Sequence, residues 1–167
     1  MSSPQNLNDL YIDELKDLWS ANDQMQRCIK KLVTKASDIS LKEMLTRSQQ
    51  GISQHTEMLK ELIGAHGQKV SKEHCKGMQG LVAEATKHTT EEAPKKGPVL
   101  DVVIIAQYQR MTHYGIAGFG TASAFAKALG NKQDHAKLKA ATKGCYRADE
   151  YMTKLAETST NVDAKDE

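Results

Sequence analysis

The stretch VLDVVIIAQYQRMTHYGIAGFGTA, Val99 to Ala122, constrains the fold more than any other part of the chain. It opens on a β-branched run, Val102 to Ile105, and ends in Gly115, Gly118 and Gly120. One reading is a strand feeding a phosphate-binding loop. A dinucleotide fingerprint, however, needs G-x-G-x-x-G directly after its strand, with helix only beyond it. Here the glycine order is reversed, and the first glycine comes ten residues past the β-branched run. A strand ending at Ile105 would also leave AQYQRMTHY as a loop without turn residues. A helix accounts for the whole segment. Ile104, Tyr108, Met111, Gly115, Gly118, Ala122, Phe125 and Leu129 form one stripe. Val102, Ile105, Thr112, Ile116 and Phe119 form a second. A helix apolar on most sides is buried on most sides, and its glycines let neighbouring backbones approach closely.

The rest of the chain reads as helices built around this one. Tyr11, Leu18, Met25, Ile29 and Leu32 recur at three-and-four spacing, with Asn6 or Asn8 as cap and KASDIS as the stop. A second helix over Ser40–Ala65 carries Leu41, Leu45, Ile52, Leu59 and Leu62 and ends at GAHGQK. A shorter, thinly apolar helix covers about Glu73–Glu91, followed by the break APKKGP. The turn LGNKQD precedes a last helix over about Gln133–Ala156. These elements predict an all-α fold: a ferritin-like four-helix bundle with one additional short helix in its long crossover connection. The bundle is expected over residues 1–158, with a polar, frayed tail over 159–167.

Composition narrows the function. The net charge of +2, with basic and acidic residues interspersed, gives no nucleic-acid footprint. The apolar run Val99–Ala106 is too short for a bilayer, and the polar start MSSPQNLNDLY lacks the apolar core of a secretory leader. The three cysteines are odd in number and match no zinc-finger spacing, which suits a cytoplasmic protein. Apolar residues on both sides of the long helix leave a surface for a second copy, so a homodimer is expected.

Polar residues interrupt every long stripe near its middle: Asn22; Ser48 and His55; Gln109, Thr112 and His113; Cys145 and Asp149. In a bundle such groups meet in one layer. They form either a satisfied polar network or a cofactor or metal site, for which His55, His113 and Asp149 are the candidate ligands. Cys145 beside His55 or His113 could also pair a nucleophile with a base, but no oxyanion hole is evident and a structural thiol is the simpler reading. His66, His74, Cys75 and His88 flank the short helix at spacings that match no zinc motif.

The stretches LYIDELKDLWSANDQM, EHCKGMQGLVAEA, DVVIIAQYQRMTHYGIAGFGT and RADEYMTKLA, in this order, resemble the YciE/YciF-like branch of the ferritin-like superfamily over Leu7–Ala156. The resemblance implies a compact four-helix core, a dimer and an association with bacterial stress responses. Metal-binding relatives are expected to carry glutamates or histidines at mid-helix. This sequence places Ala21-Asn22-Asp23-Gln24, Gln50-Gly51-Ile52-Ser53, Thr112-His113-Tyr114-Gly115 and Gly144-Cys145 at those points and keeps Asp149. Asn22, Gln50, Gln109, Thr112 and Cys145 are thus expected in a polar core layer without bridging carboxylates. The expectation is a stress-associated protein with no cofactor and an incomplete di-iron site. The alternatives are iron or manganese on His55, His113 and Asp149, in an oxidoreductase, and a small-molecule binder in the glycine-lined seam.

Overall fold

A capping asparagine starts the first helix. Asn6 accepts a hydrogen bond from the Asp9 N–H at 3.0 Å, and α1 runs over Leu7–Lys35. Asp38 does the same for α2, Ile39–Ala65, by accepting from Leu41 N at 2.7 Å. Gly67, at φ +68°, then turns the chain in a conformation that costs a side-chain-bearing residue strain. The computed structural model describes residues 3–165. It continues through α3 (Lys76–Thr86) with a π-helical turn over Lys87–Glu91, then α4 (Pro98–Ala128) and α5 (Lys132–Leu155). No strand occurs among the described residues.

Contacts between helices fix their directions. Asp101 near the start of α4 meets Ser37 and Asp38 just past the end of α1, and Tyr114 meets Asp17, so α1 and α4 are antiparallel. Ser48 meets Tyr108 and His55 meets Phe119, so α2 and α4 run the same way. Two parallel helices cannot share a short turn, which is why residues 66–97 form the long crossover that carries α3. Around the bundle the order is α1, α2, α5, α4, and the α2–α5 seam is the loosest of the four. This is the ferritin-like arrangement.

α4 is the packing centre, as its two stripes require. Ile104, Tyr108, Met111, Phe119 and Ala122 are all buried. At Gly118 an added Cβ would lie 2.5 Å from Leu18 Cδ2 and 3.1 Å from Glu14 Oε1, so here α1 and α4 are in close contact. The other glycines of the series behave differently. Gly115 faces Cys145 at 3.7 Å, and Gly120 faces Thr142 at 3.9 Å.

The chain departs from the expected frayed end. After α5 it continues through a π-helical turn, Ala156–Thr160, and a short α6, Asn161–Lys165, which pack back on α4. Thr160 is buried where this segment docks on α4. Residues 166–167 of the expected tail lie outside the described residues.

Candidate functional site

The four long helices line a cavity of about 410 Å³ at mid-height that is open on one side. Its rear wall is α1 and α4, which present Asn22, Met25, Tyr108 and Thr112. Its front is the α2–α5 seam, where Ser48, Gly51, Ile52 and His55 face Gly144, Cys145 and Ala148. Arg47, Arg147 and Tyr151 flank the opening. The wall is mostly carbon, with Phe119 edge-on to the His55 ring at a centroid separation of 5.2 Å.

Burial sets the chemistry of the titratable groups here. It lowers the pKa of His55, favouring neutral imidazole. It raises the Cys145 thiol to about 11, so at neutral pH this sulfur is protonated and a poor nucleophile. Burial also pushes the Tyr108 phenol up, while its 2.7 Å hydrogen bond with Ser48 opposes the shift. Among the described residues no general base is hydrogen-bonded to the thiol, an arrangement that does not activate it as a nucleophile.

The structure brings some of the expected polar residues together and separates others. Asn22, Ser48, His55, Thr112 and Cys145 line the one cavity. Gln50 does not belong with them, and its assignment to the core layer is corrected: it is exposed. At 100° per residue it lies on the far side of α2 from Ile52, and its neighbour Gly51 takes the cavity position. Gln109, His113 and Asp149 gather instead on the outer α4–α5 seam. His113 Nε2 lies 2.9 Å from Asp149 Oδ2, and Gln109 Nε2 donates to Asp149 Oδ1 at 3.0 Å and Thr153 Oγ1 at 2.9 Å. His55 is therefore not brought to His113 and Asp149. The histidines around the short helix are likewise dispersed, His66 to Asp134, His74 to Gln79 and His88 to Glu84.

A second polar cluster, not anticipated from the sequence, fastens the crossover to the bundle. Tyr114 donates to Asp17 Oδ2 at 2.7 Å, and Cys75 Sγ lies 3.0 Å from the Tyr114 hydroxyl and 3.2 Å from Asp17 Oδ2. The same sulfur caps α3 by accepting from Met78 N. Cys75 N donates to Ser20 Oγ, and Gln24 donates to the Cys75 carbonyl. One turn earlier on α1, burial, helped by the neighbouring Asp17 charge, raises Glu14 to about 7. A thiol at a helix cap, where Ser, Thr, Asp or Asn is usual, was the sequence signal for this contact.

A family model described as a domain of unknown function, DUF892, matches residues 6–165. The chain belongs to the DUF892 family. Protein YciF of Escherichia coli (strain K12) is 28% identical over 160 residues, covering 95% of each chain. A crystal structure of the same E. coli protein, described there as a stress protein, superposes with a TM-score of 0.87 at 27% identity, covering 95% of this chain and 99% of that one. YcfI of Rhodopseudomonas palustris gives a TM-score of 0.85 at 28% identity, over 92% and 98% of the two chains.

Ferritin-like bundles that hold two metal ions project a glutamate from each of two helices and a Glu-x-x-His pair from each of the others into the core. In this DUF892 chain the corresponding space is lined by an amide, hydroxyls, an imidazole, a thiol and three glycines. No carboxylate lines it, and among the described residues no three His, Cys, Asp or Glu side chains come together as ligands for an ion. Two divalent cations need anionic, bridging oxygens to offset their burial. The residues present do not fit a dinuclear centre.

Proposed function

We propose that this chain is a stress-associated bundle protein of the YciF kind, working without a dinuclear iron or manganese centre. The stress association comes from the E. coli YciF structure, whose bundle matches 95% of this chain. The observation that carries the metal reading is the carboxylate-free wall of the central cavity. Its three cysteines, all unpaired, suit a reducing compartment. No helix among the described residues is long and apolar enough to cross a membrane. We further propose that it functions as a homodimer.

A single iron or manganese ion on His55, His113 and Asp149 is the competing reading. It has the 2.9 Å His113–Asp149 pair in its favour, but His55 faces the cavity instead, which leaves that pair without a third ligand. Oxygen consumption after adding ferrous iron separates the readings. The expected rate is that of ferrous iron in buffer. A saturable, protein-dependent oxidation of iron would contradict the proposal.

A further inference from the structure

The central cavity stays hollow because glycines stand on its wall. A Cβ on Gly51 would meet nothing within 4 Å, and one on Gly144 would come no closer than 3.9 Å to Arg147 and 4.0 Å to His55. Unlike Gly118, neither is required by close packing, although each internal glycine weakens its helix. Their effect is to keep space open.

Two further features give that space a chemical character. At the rear, Asn22 is 6% exposed, yet among the described residues Asn22 Nδ2 has no hydrogen-bond partner, and the buried Thr112 hydroxyl stands beside it on the same wall, next to the Tyr108 hydroxyl. Buried polar groups are normally paired. At the front, Arg47 and Arg147 flank the opening, and among the described residues no carboxylate pairs with either. Arg47 is held over the Tyr151 ring at 5.7 Å from its centroid. Met25, Met44, Ile52 and Phe119 supply apolar wall to the same cavity.

We propose that this cavity binds a small organic anion. Its apolar or aromatic body fills the hollow, its acidic group sits between Arg47 and Arg147 at the α2–α5 opening, and a polar atom at its far end meets the Asn22 amide and the Thr112 hydroxyl. The volume of about 410 Å³ falls in the lower part of the range for small-molecule pockets. Apolar walls with a few convergent polar groups are what such pockets offer. A planar guanidinium suits a carboxylate or sulfonate, which it can meet in bidentate fashion. The inference rests on the cavity and not on the stress association, and metal content tests the metal reading separately.

The test uses the full chain and two fluorescent probes, the anionic 1-anilinonaphthalene-8-sulfonate and the neutral N-phenyl-1-naphthylamine. The sulfonate is expected to bind at one per chain. Gly51→Leu fills the hollow from a helical position that gains propensity, so its melting temperature should match or exceed the parent's, with sulfonate affinity down by about tenfold or more. Arg47→Gln with Arg147→Gln should weaken the sulfonate by about fivefold or more and leave the neutral probe within about twofold. Because the Cys145 thiol is protonated at neutral pH, alkylation is run with excess N-ethylmaleimide at mildly alkaline pH until the unliganded, unsubstituted protein is modified there, and bound sulfonate should slow that modification, read by mass spectrometry. That readout holds even if a variant folds poorly. Absence of binding, full affinity in a folded Gly51→Leu protein, equal loss of both probes on removing the arginines, or unprotected Cys145 would each overturn the proposal.

Discussion

His113 Nε2 stands 2.9 Å from Asp149 Oδ2 on the outer seam of α4 and α5. Asp149 is the one carboxylate that the sequence places mid-length among the core-layer residues. Its pairing with a largely exposed histidine, and with Gln109 on its other oxygen, turns it away from the bundle centre. The cavity that remains at the centre is lined by no carboxylate among the described residues.

Glu14 should make stability depend on pH. Burial, then the Asp17 charge, raises its carboxyl from 4.5 to about 7 in the fold. The folded state therefore holds a proton that the unfolded chain releases earlier. Its contribution to stability is complete below pH 4.5 and is lost as pH rises through about 7. Glu14→Gln should flatten this decline and gain about 1–2 kcal/mol at pH 8, after allowance for partial exposure. Urea denaturation between pH 4 and 8 checks it, and a parallel decline in the variant would count against the assignment.

Two glycines should respond oppositely to alanine. At Gly51 there is nothing within 4 Å of the new methyl group, so the variant should gain about 0.5–1 kcal/mol of helix propensity. At Gly118 the methyl group would enter the fully buried Leu18 side chain at 2.5 Å. Overpacking costs about 1–3 kcal/mol, so the net effect there should be a loss. Equal midpoints in urea for the two variants would contradict the α1–α4 contact.

Asp101 fastens one end of the bundle. It is buried, and its two oxygens accept from the backbone N–H groups of Ser37 and Asp38 at 2.7 and 2.8 Å. Asp101→Ala leaves both donors unpaired in the α1–α2 connection and should cost about 2–3 kcal/mol. Asp101→Asn keeps one acceptor and should cost less. The comparison is again made by urea denaturation, and a neutral Asp101→Ala would show that water replaces the carboxylate there.

The fold was legible where a pattern had to be satisfied by backbone geometry alone. The double stripe of α4 admits only a buried helix, and the length of residues 66–97 marks the long crossover, whereas the parallel course of α2 and α4 is read from the Ser48–Tyr108 and His55–Phe119 contacts. The cavity was less legible. The run Ser48-Gln49-Gln50-Gly51 is polar or small throughout, so its rotational phase is weakly marked, and Gln50 was placed inward where Gly51 belongs. Arg47, Arg147 and Gly144 carry no periodic signal, because a hollow is defined by what four helices fail to fill. Asp101 reads as an ordinary acidic residue in a first helical turn, and only the tertiary contact reveals its two backbone partners. The end of the chain looked frayed because its residues are polar, whereas docking of Thr160 and α6 on α4 is a property of the assembled bundle.

The proposed homodimer has a candidate face on α4. Ala117, Thr121 and Ala124 are exposed along one side of that helix, and Val99 is 37% exposed near its start. Small residues allow a second helix to approach closely. Sedimentation velocity at micromolar concentration should give twice the chain mass, and Ala124→Arg should shift it to the monomer. A monomeric parent would contradict the proposal.

The most direct measurement is metal content. The protein is loaded anaerobically with excess ferrous iron, or in parallel with manganous ion, desalted, and its metal counted per chain by elemental analysis, alongside Asp149→Ala. The account predicts well under one ion per chain, with no difference between the two proteins. A stoichiometry near two that falls on removing Asp149 would contradict it, because it would mean that the carboxylate paired with His113 turns inward to complete a dinuclear centre.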